Sequence, residues 1–469
     1  MTNSTVVKTR FAPSPTGHIH LGNARTALFN ALLAFKHSGI FLLRIEDTDQ
    51  ERSQDVYVRD LLEDLRWLGL DWQEGPEREG ESGPYFQSAR DVVYERYYQE
   101  LESKALVYPC FCSPTELALS RKAQLTAGRP PRYSGTCARL NEAEREVRRE
   151  RGIQPTLRFR VPTGQIVEFE DLVRGPQRFQ TDDIGDFIIR RADGSAQFFF
   201  TNAVDDALMA VTHVLRGEDH LTNTPRQLLL LQALDLPIPH YGHISLLVGN
   251  DGSPLSKRHG SRSLRQLRAA GYLPEALNNY MARLGHTYTQ DGWMSAKELA
   301  AEFNPERLSR APARYDEAQL LHWQTEAVHR AEAAELWEWM GQSVHERVPE
   351  TARQDFITTV RPNIHFPAEA QEWAQRLFGN DLHVSEDAQA VIVAAPNGFF
   401  ENALAAYEKH GSAYKDLVDE IKKMSGVKGK ALFMPLRAAL TGLTHGPELA
   451  RMLALIPADS VRQRFGNFI

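Results

Sequence analysis

Arg10-Phe-Ala-Pro-Ser-Pro-Thr-Gly17-His-Ile-His20-Leu-Gly22-Asn23-Ala-Arg25-Thr26 is the stretch on which the fold turns. Pro13 and Pro15 hold the chain extended, and Gly17 lets it turn. Just before it, Val6 to Phe11 reads as a short buried strand. Just after it, Leu21, Ala24, Leu28, Leu32 and Phe35 recur at helical spacing as far as about Ser38. Gly39 ends that helix, and Ile40 to Ile45 is a second strand. Strand, loop, helix, strand is a βαβ unit. It predicts an α/β, Rossmann-like parallel sheet with a nucleotide site at the strand carboxyl ends.

The same stretch suits a triphosphate. Helix N-terminal amides and the helix dipole favour phosphate oxygens. Gly17 shapes the loop, Gly22 lets an adenine lie close on the backbone, and Asn23 sits beside it in the first turn. His20 can donate to phosphate as negative charge builds. Four such residues alone would be an ordinary helix cap, but the whole string is far more specific. Some 230 residues later comes Gly252-Ser-Pro-Leu-Ser256-Lys257-Arg258-His-Gly260. Its glycine-flanked basic pair suits a leaving pyrophosphate, if those contacts strengthen only in the transition state. A lone Ser-Lys-Arg would be a solvated turn. Lys423-Met-Ser-Gly426 is similar only in letters, since it ends a helical stretch with no sheet before it.

Further along, Ser53 to Leu68 and Asp91 to Leu101 read as helices. Thr156 to Val161 and Phe187 to Arg191 read as strands. Asp193-Gly194 is a hairpin turn before a third strand, Ala196 to Thr201. Val211 to Leu215 and Ile244 to Val248 continue the sheet, and the leucine run 228–231 is a buried helix. Beyond Tyr272 the periodicity is almost wholly helical. The expected boundaries are a first catalytic half over 1–106, an α+β insertion over 107–195 and a second half over 196–245. A helical region carrying the Ser-Lys-Arg loop spans 246–325, and an all-α region spans 326–469.

A chain of 469 residues with net charge −7 is no indiscriminate nucleic-acid binder, although local basic patches can still grip phosphates. Nothing approaches the roughly 20 apolar residues of a membrane span, and the polar first residues are no signal peptide. Three cysteines, an odd number, argue against a disulfide framework and for a reducing compartment. The expected setting is cytoplasmic.

The two nucleotide strings resemble the His-Ile-Gly-His and Lys-Met-Ser-Lys-Ser signatures of class I aminoacyl-tRNA synthetases, in the form used by bacterial-type glutamyl-tRNA synthetases. The resemblance extends to Leu43-Arg-Ile-Glu-Asp-Thr-Asp49, Asn202-Ala-Val-Asp-Asp206, His213-Val-Leu-Arg-Gly-Glu-Asp-His220, Asn223-Thr-Pro-Arg226 and Pro435-Leu-Arg-Ala-Ala-Leu-Thr-Gly442, covering essentially the whole chain. It implies an ATP-dependent activation of L-glutamate, with Mg²⁺ carried by the ATP phosphates, and transfer to tRNA(Glu) by a monomer. His20, Lys257 and Arg258 would be catalytic. Arg10 and Arg216 would face the glutamate carboxylates, a role for which the guanidinium fork is suited. Ser14 and Asn202 would add hydrogen bonds, and Glu46 would receive the ammonium. Alternatively, Arg10 and Glu46 simply pair with each other. Phe198 stands where many relatives carry a tyrosine, and Pro254 where many carry a lysine.

Cys110-Phe-Cys112, Tyr133 and Cys137 resemble a zinc knot that some relatives carry in this insertion. Zinc takes four ligands, and Arg139 replaces the usual histidine, so Tyr133 would be the fourth. A zinc site and a metal-free trio of reduced thiols both fit the sequence. The insertion, with Arg121, Lys122, Arg129 and Arg132, would hold the tRNA acceptor end, and the helical C-terminal region would read the anticodon. A glutaminyl enzyme would end in β-barrels, a glutamyl-Q enzyme would stop near residue 300, and a small-molecule nucleotidyltransferase would leave the last 150 residues unexplained.

Overall fold

In a computed structural model the structure describes residues 6–48, 53–78, 80–249, 251–253, 255 and 262–469. It falls into two compact units, Met1–Leu267 with Leu277–Glu317, and Arg268–Ala276 with Ala318–Ile469. The first unit holds the strands β1 (Lys8–Phe11), β2 (Ile40–Leu43), β3 (Val107–Cys110), β4 (Thr156–Phe159), β5 (Ile166–Asp171), β6 (Gly175–Gln180), β7 (Phe187–Arg190), β8 (His213–Gly217) and β9 (His240–Ile244).

The main sheet runs β2-β1-β8-β9-β5-β6. Every pairing is parallel except β5 with β6. The βαβ unit is present: the helix Leu21–Lys36 returns β1 to β2, and the buried faces of both strands lie against it. After β2 the chain crosses to the other side of β1, so β1 and β8 flank a switch point where a crevice opens at their carboxyl ends. Arg10 and Arg216 stand at those two strand ends.

Residues 107–195 are split between two sheets. β3, β4 and β7 form a separate antiparallel sheet, while β5 and β6 join the main one. In β5, a strand the sequence reading did not mark, Val167 and Phe169 alternate with the exposed Glu168 and Glu170.

One expected element is different. Ala196 to Thr201 is not a strand: the helix Phe198–Leu208 begins there. Phe200 packs on Tyr98, and Thr201 through Ala207 are buried on every side. A helix enclosed all round has no polar face, so the periodicity that betrays a surface helix is missing.

The second unit is helical. Trp337, Phe356, Trp373, Phe399 and Phe465 anchor its core. Gly426, with φ 71°, closes the helix Tyr414–Ser425 in the left-handed conformation, so the Lys423-Met-Ser-Gly426 string is a helix end. No helix of the described residues is long and apolar enough to cross a membrane.

Candidate functional site

A cavity of about 590 Å³ opens at the switch point. Arg10, Ser14, His20, Gly22, Asn23, Glu46, Phe198, Asn202 and Arg216 all line it, although they come from four separate stretches of chain. Gly17 lines a smaller neighbouring hollow together with His20 and Asn23. Ser256, Lys257 and Arg258 lie outside the described residues, as does Pro254. The chain on either side of them is placed, however. Leu255 lines the cavity, and Ser263 forms a bridge with His20, where the Leu264 amide donates to the Ile19 carbonyl at 2.9 Å.

His20 is the N-cap of the helix Leu21–Lys36. It makes no side-chain capping bond, and no acidic residue stands in the first turn. The positive end of that helix therefore meets the cavity with no carboxylate supplied by the helix itself. A methyl group added at Gly22 would meet nothing within 4 Å, so the space beside its backbone is open.

Behind the cavity lies a buried charge cluster. Asp206, wholly buried on the helix Phe198–Leu208, accepts from Arg10 Nε at 3.2 Å and from Arg44 Nη1 at 2.7 Å. Burial alone would raise the Asp206 carboxyl, yet the two guanidiniums hold it below its ordinary value. Arg44 also donates to Glu46 at 3.0 Å, and Asn202 donates to the same Glu46 oxygen at 2.7 Å. Arg10 and Glu46 thus do not pair with each other; Asp206 takes the first and Arg44 the second. Arg10 is anchored through Nε, which leaves its Nη groups available to a ligand. Burial pushes the Glu46 carboxyl upward against the pull of Arg44 and Asn202.

Arg216 differs from both. Its Nε donates to His243 Nε2 at 3.2 Å, its Nη2 to Thr224 and Gln227 at 2.8 and 2.6 Å, and its Nη1 to Asn202 at 3.4 Å. Every one of these partners is neutral. With 5% of its surface exposed, this is a buried cation with no carboxylate at ion-pairing distance among the described residues, and burial pulls its pKa down to about 10. Phe198 sits at the rim, 5.4 Å from the His220 ring.

Arg44, Asp206, Thr224, Gln227 and His243 belong to the site but carry no role in the sequence reading. Most of them fall inside the quoted strings, yet nothing in linear spacing shows that residue 44 meets residue 206.

In the insertion, the three sulfurs of Cys110, Cys112 and Cys137 lie within 4.8 Å of one another. The Tyr133 hydroxyl is 3.4 Å from Cys110 Sγ and 3.3 Å from Cys112 Sγ, and Cys112 and Cys137 are 3.6 Å apart. Tetrahedral zinc with Zn–S near 2.3 Å spaces its sulfurs about 3.7 Å apart, so this donor set fits the ion. Burial pushes the Cys112 thiol up to about 12. The same burial acts on Cys110, but its contact with Tyr133 and the Arg158 charge leave that thiol below its usual value.

Residues 6–322 match the family of class I tRNA synthetases (E and Q), catalytic domain, and residues 331–469 match an anticodon binding domain. The fold is that of a class I tRNA synthetase. Glutamate–tRNA ligase 2 of Nitrosococcus oceani is 60% identical over 467 residues, covering 100% of this chain and 99% of its own. Glutamate–tRNA ligase 2 of Alkalilimnicola ehrlichii is 59% identical over 98% of this chain and 97% of its own. The crystal structure of a glutamate tRNA ligase from Elizabethkingia meningosepticum, in complex with its amino acid, superposes with a TM-score of 0.89 at 26% identity, covering 98% of this chain and 99% of that one. The chain belongs to the glutamate–tRNA ligase family.

Proposed function

We propose that the chain activates L-glutamate with ATP and transfers it to tRNA(Glu). The observation that carries this is the buried charge imbalance. Arg10 and Arg44 pair with Asp206 and Glu46, whereas Arg216, like Arg25 at the same cavity, hydrogen-bonds only to neutral groups among the described residues, an excess of positive charge that suits a dicarboxylate. Arg10 and Arg216 take the carboxylates, Ser14 and Asn202 add hydrogen bonds, and Glu46 receives the ammonium. Glutamine, which lacks the second carboxylate, leaves the guanidinium charge uncompensated.

A glutamate carboxylate oxygen attacks the α-phosphorus, the bond to pyrophosphate breaks, and glutamyl-adenylate forms. His20 and the open helix N-terminus hold phosphate oxygens as charge accumulates, with Gly17, Gly22, Asn23 and Ser256 shaping the ATP site. Lys257 and Arg258 meet the departing pyrophosphate, and Mg²⁺ arrives on the ATP. The terminal adenosine hydroxyl of the tRNA then attacks the acyl carbon, and AMP leaves. Residues 107–195 hold the acceptor end, 246–325 contact the stem, and 326–469 read the anticodon.

Charging of purified tRNA(Glu) with labelled glutamate tests this directly. Robust charging with glutamate and none with glutamine is expected; equal use of both sinks it. Pyrophosphate exchange is expected to rise on adding tRNA, whereas exchange indifferent to tRNA favours a small-molecule nucleotidyltransferase. Lys257→Ala is expected to slow adenylate formation about a hundredfold, the scale of one lost transition-state contact, and a loss under about tenfold removes Lys257 from that role.

Cys110, Cys112, Tyr133 and Cys137 are the proposed holders of a structural zinc ion. Metal analysis of chelator-washed protein is expected to give about one zinc per chain, and less than about 0.2 rules the site out.

A further inference from the structure

We propose that Asp171 and His243 are positioning residues that fix the guanidinium of Arg216 for the amino-acid substrate. The inference rests on Arg216 as a glutamate partner, as proposed above. Three adjacent strands carry the row. Arg216 on β8 is the register partner of His243 on β9, and β9 pairs with β5 where Asp171 meets Tyr241. His243 and Asp171 are 0% and 2% exposed, and neither lines the cavity.

The hydrogen-bonding roles are forced. Arg216 Nε can only donate, so His243 Nε2, 3.2 Å away, must be an unprotonated acceptor. The ring proton then sits on Nδ1, which is 2.5 Å from Asp171 Oδ2. The other Asp171 oxygen accepts three backbone N–H groups, from Val173, Arg174 and His243, at 2.9, 2.8 and 3.2 Å. The carboxylate therefore cannot rotate, and its free oxygen dictates which imidazole nitrogen carries the proton. The Thr224 hydroxyl lies 3.0 Å from the same Nε2, and it can turn to donate there while accepting from Arg216 Nη2. Arg216 also rests over the Tyr241 ring, its guanidinium carbon 5.1 Å from the centroid.

The interposed imidazole explains why the site does not use a carboxylate against Arg216. Direct pairing would orient the guanidinium but also cancel the charge that a substrate carboxylate needs. A neutral acceptor orients it and leaves the charge available. Asp171 acts at one remove, through the tautomer.

Steady-state charging of tRNA with the full-length enzyme tests this with four variants. His243→Asn places its amide near Nδ1, keeping a group for Asp171 and losing the acceptor for Arg216. KM for glutamate is expected to rise about 30-fold and KM for ATP less than about threefold. His243→Gln places an amide oxygen near Nε2, restoring the acceptor, and is expected to return KM for glutamate to within about fivefold of the parent. Asp171→Asn is isosteric. Its oxygen must stay with the three backbone donors, so its amide donates to Nδ1, moves the ring proton to Nε2 and sets donor against donor at Arg216. It is expected to raise KM for glutamate at least about tenfold. Equal defects in His243→Asn and His243→Gln, or parallel rises in both KM values, overturn the proposal. If His243→Asn does not fold, Asp171→Asn decides, and an unchanged KM for glutamate overturns it. Arg216→Ala is the control: if it leaves KM for glutamate unchanged, the substrate assignment itself is wrong and this proposal falls with it. If it raises KM while Asp171→Asn does not, only the positioning role fails.

Discussion

Arg216→Ala is expected to raise KM for glutamate about 300-fold while changing KM for ATP by less than about threefold, because truncating a buried, hydrogen-bonded charge costs about 2–5 kcal/mol in the complex. Arg216 is a buried guanidinium at the cavity whose hydrogen-bond partners are all neutral, so a substrate carboxylate is the counter-charge it lacks. The substitution should disturb the empty protein comparatively little. Asn202 Oδ1 still accepts from Gln227 at 2.8 Å and His243 Nε2 still has the Thr224 hydroxyl at 3.0 Å, while Gln227 Oε1 loses its donor. Arg216→Lys should recover only part of the loss, since a point charge cannot reproduce the planar fork that meets His243, Thr224 and Gln227 together. Comparable increases in both KM values would falsify the assignment.

Asp206→Asn is expected to act on stability instead. Asp206 is wholly buried between Arg10 and Arg44, and replacing it with a neutral amide removes the carboxylate that these two guanidiniums share. Removing one member of a buried ionic group costs about 3–5 kcal/mol. Unfolding of the catalytic unit should move down by on the order of 10 °C. The pH dependence follows from the direction of the shift. The folded-state pKa lies below the unfolded one, so this contribution is fully present above about pH 4 and disappears as the pH falls through the folded value. The variant should therefore lose less stability than the parent between about pH 4 and pH 2. A melting shift under about 2 °C, or an unchanged acid limb, would show that Asp206 is dispensable.

The stretch from Arg10 to Thr26 was legible because its signals are local. Prolines, a glycine turn and a helical leucine pattern each act within a few residues, and strand, loop and helix lie where they point. The cavity residues were legible for a different reason, since they fall within strings that resemble one family. What stayed hidden is long-range and polar. Asp205 and Asp206 look like surface residues in the sequence, yet both are fully buried, Asp205 by Arg90, Gln87 and Tyr94 and Asp206 by Arg10 and Arg44. The start of their helix, through Thr201, was read as a strand because its aromatic residues mimic one and no exposed face corrects the impression. The support beneath Arg216 was equally invisible, since Asp171 precedes His243 by 72 residues and reaches it only through the register of β5 on β9.

That register also limits how far the protein can be trimmed. Residues 166–180 sit inside what looks, in the linear chain, like a detachable module, but they close one border of the central sheet and place a carboxylate two strands away from Arg216. Excising the whole stretch would expose β9 as a raw edge and leave the imidazole behind the substrate arginine free to hold its proton on the wrong nitrogen.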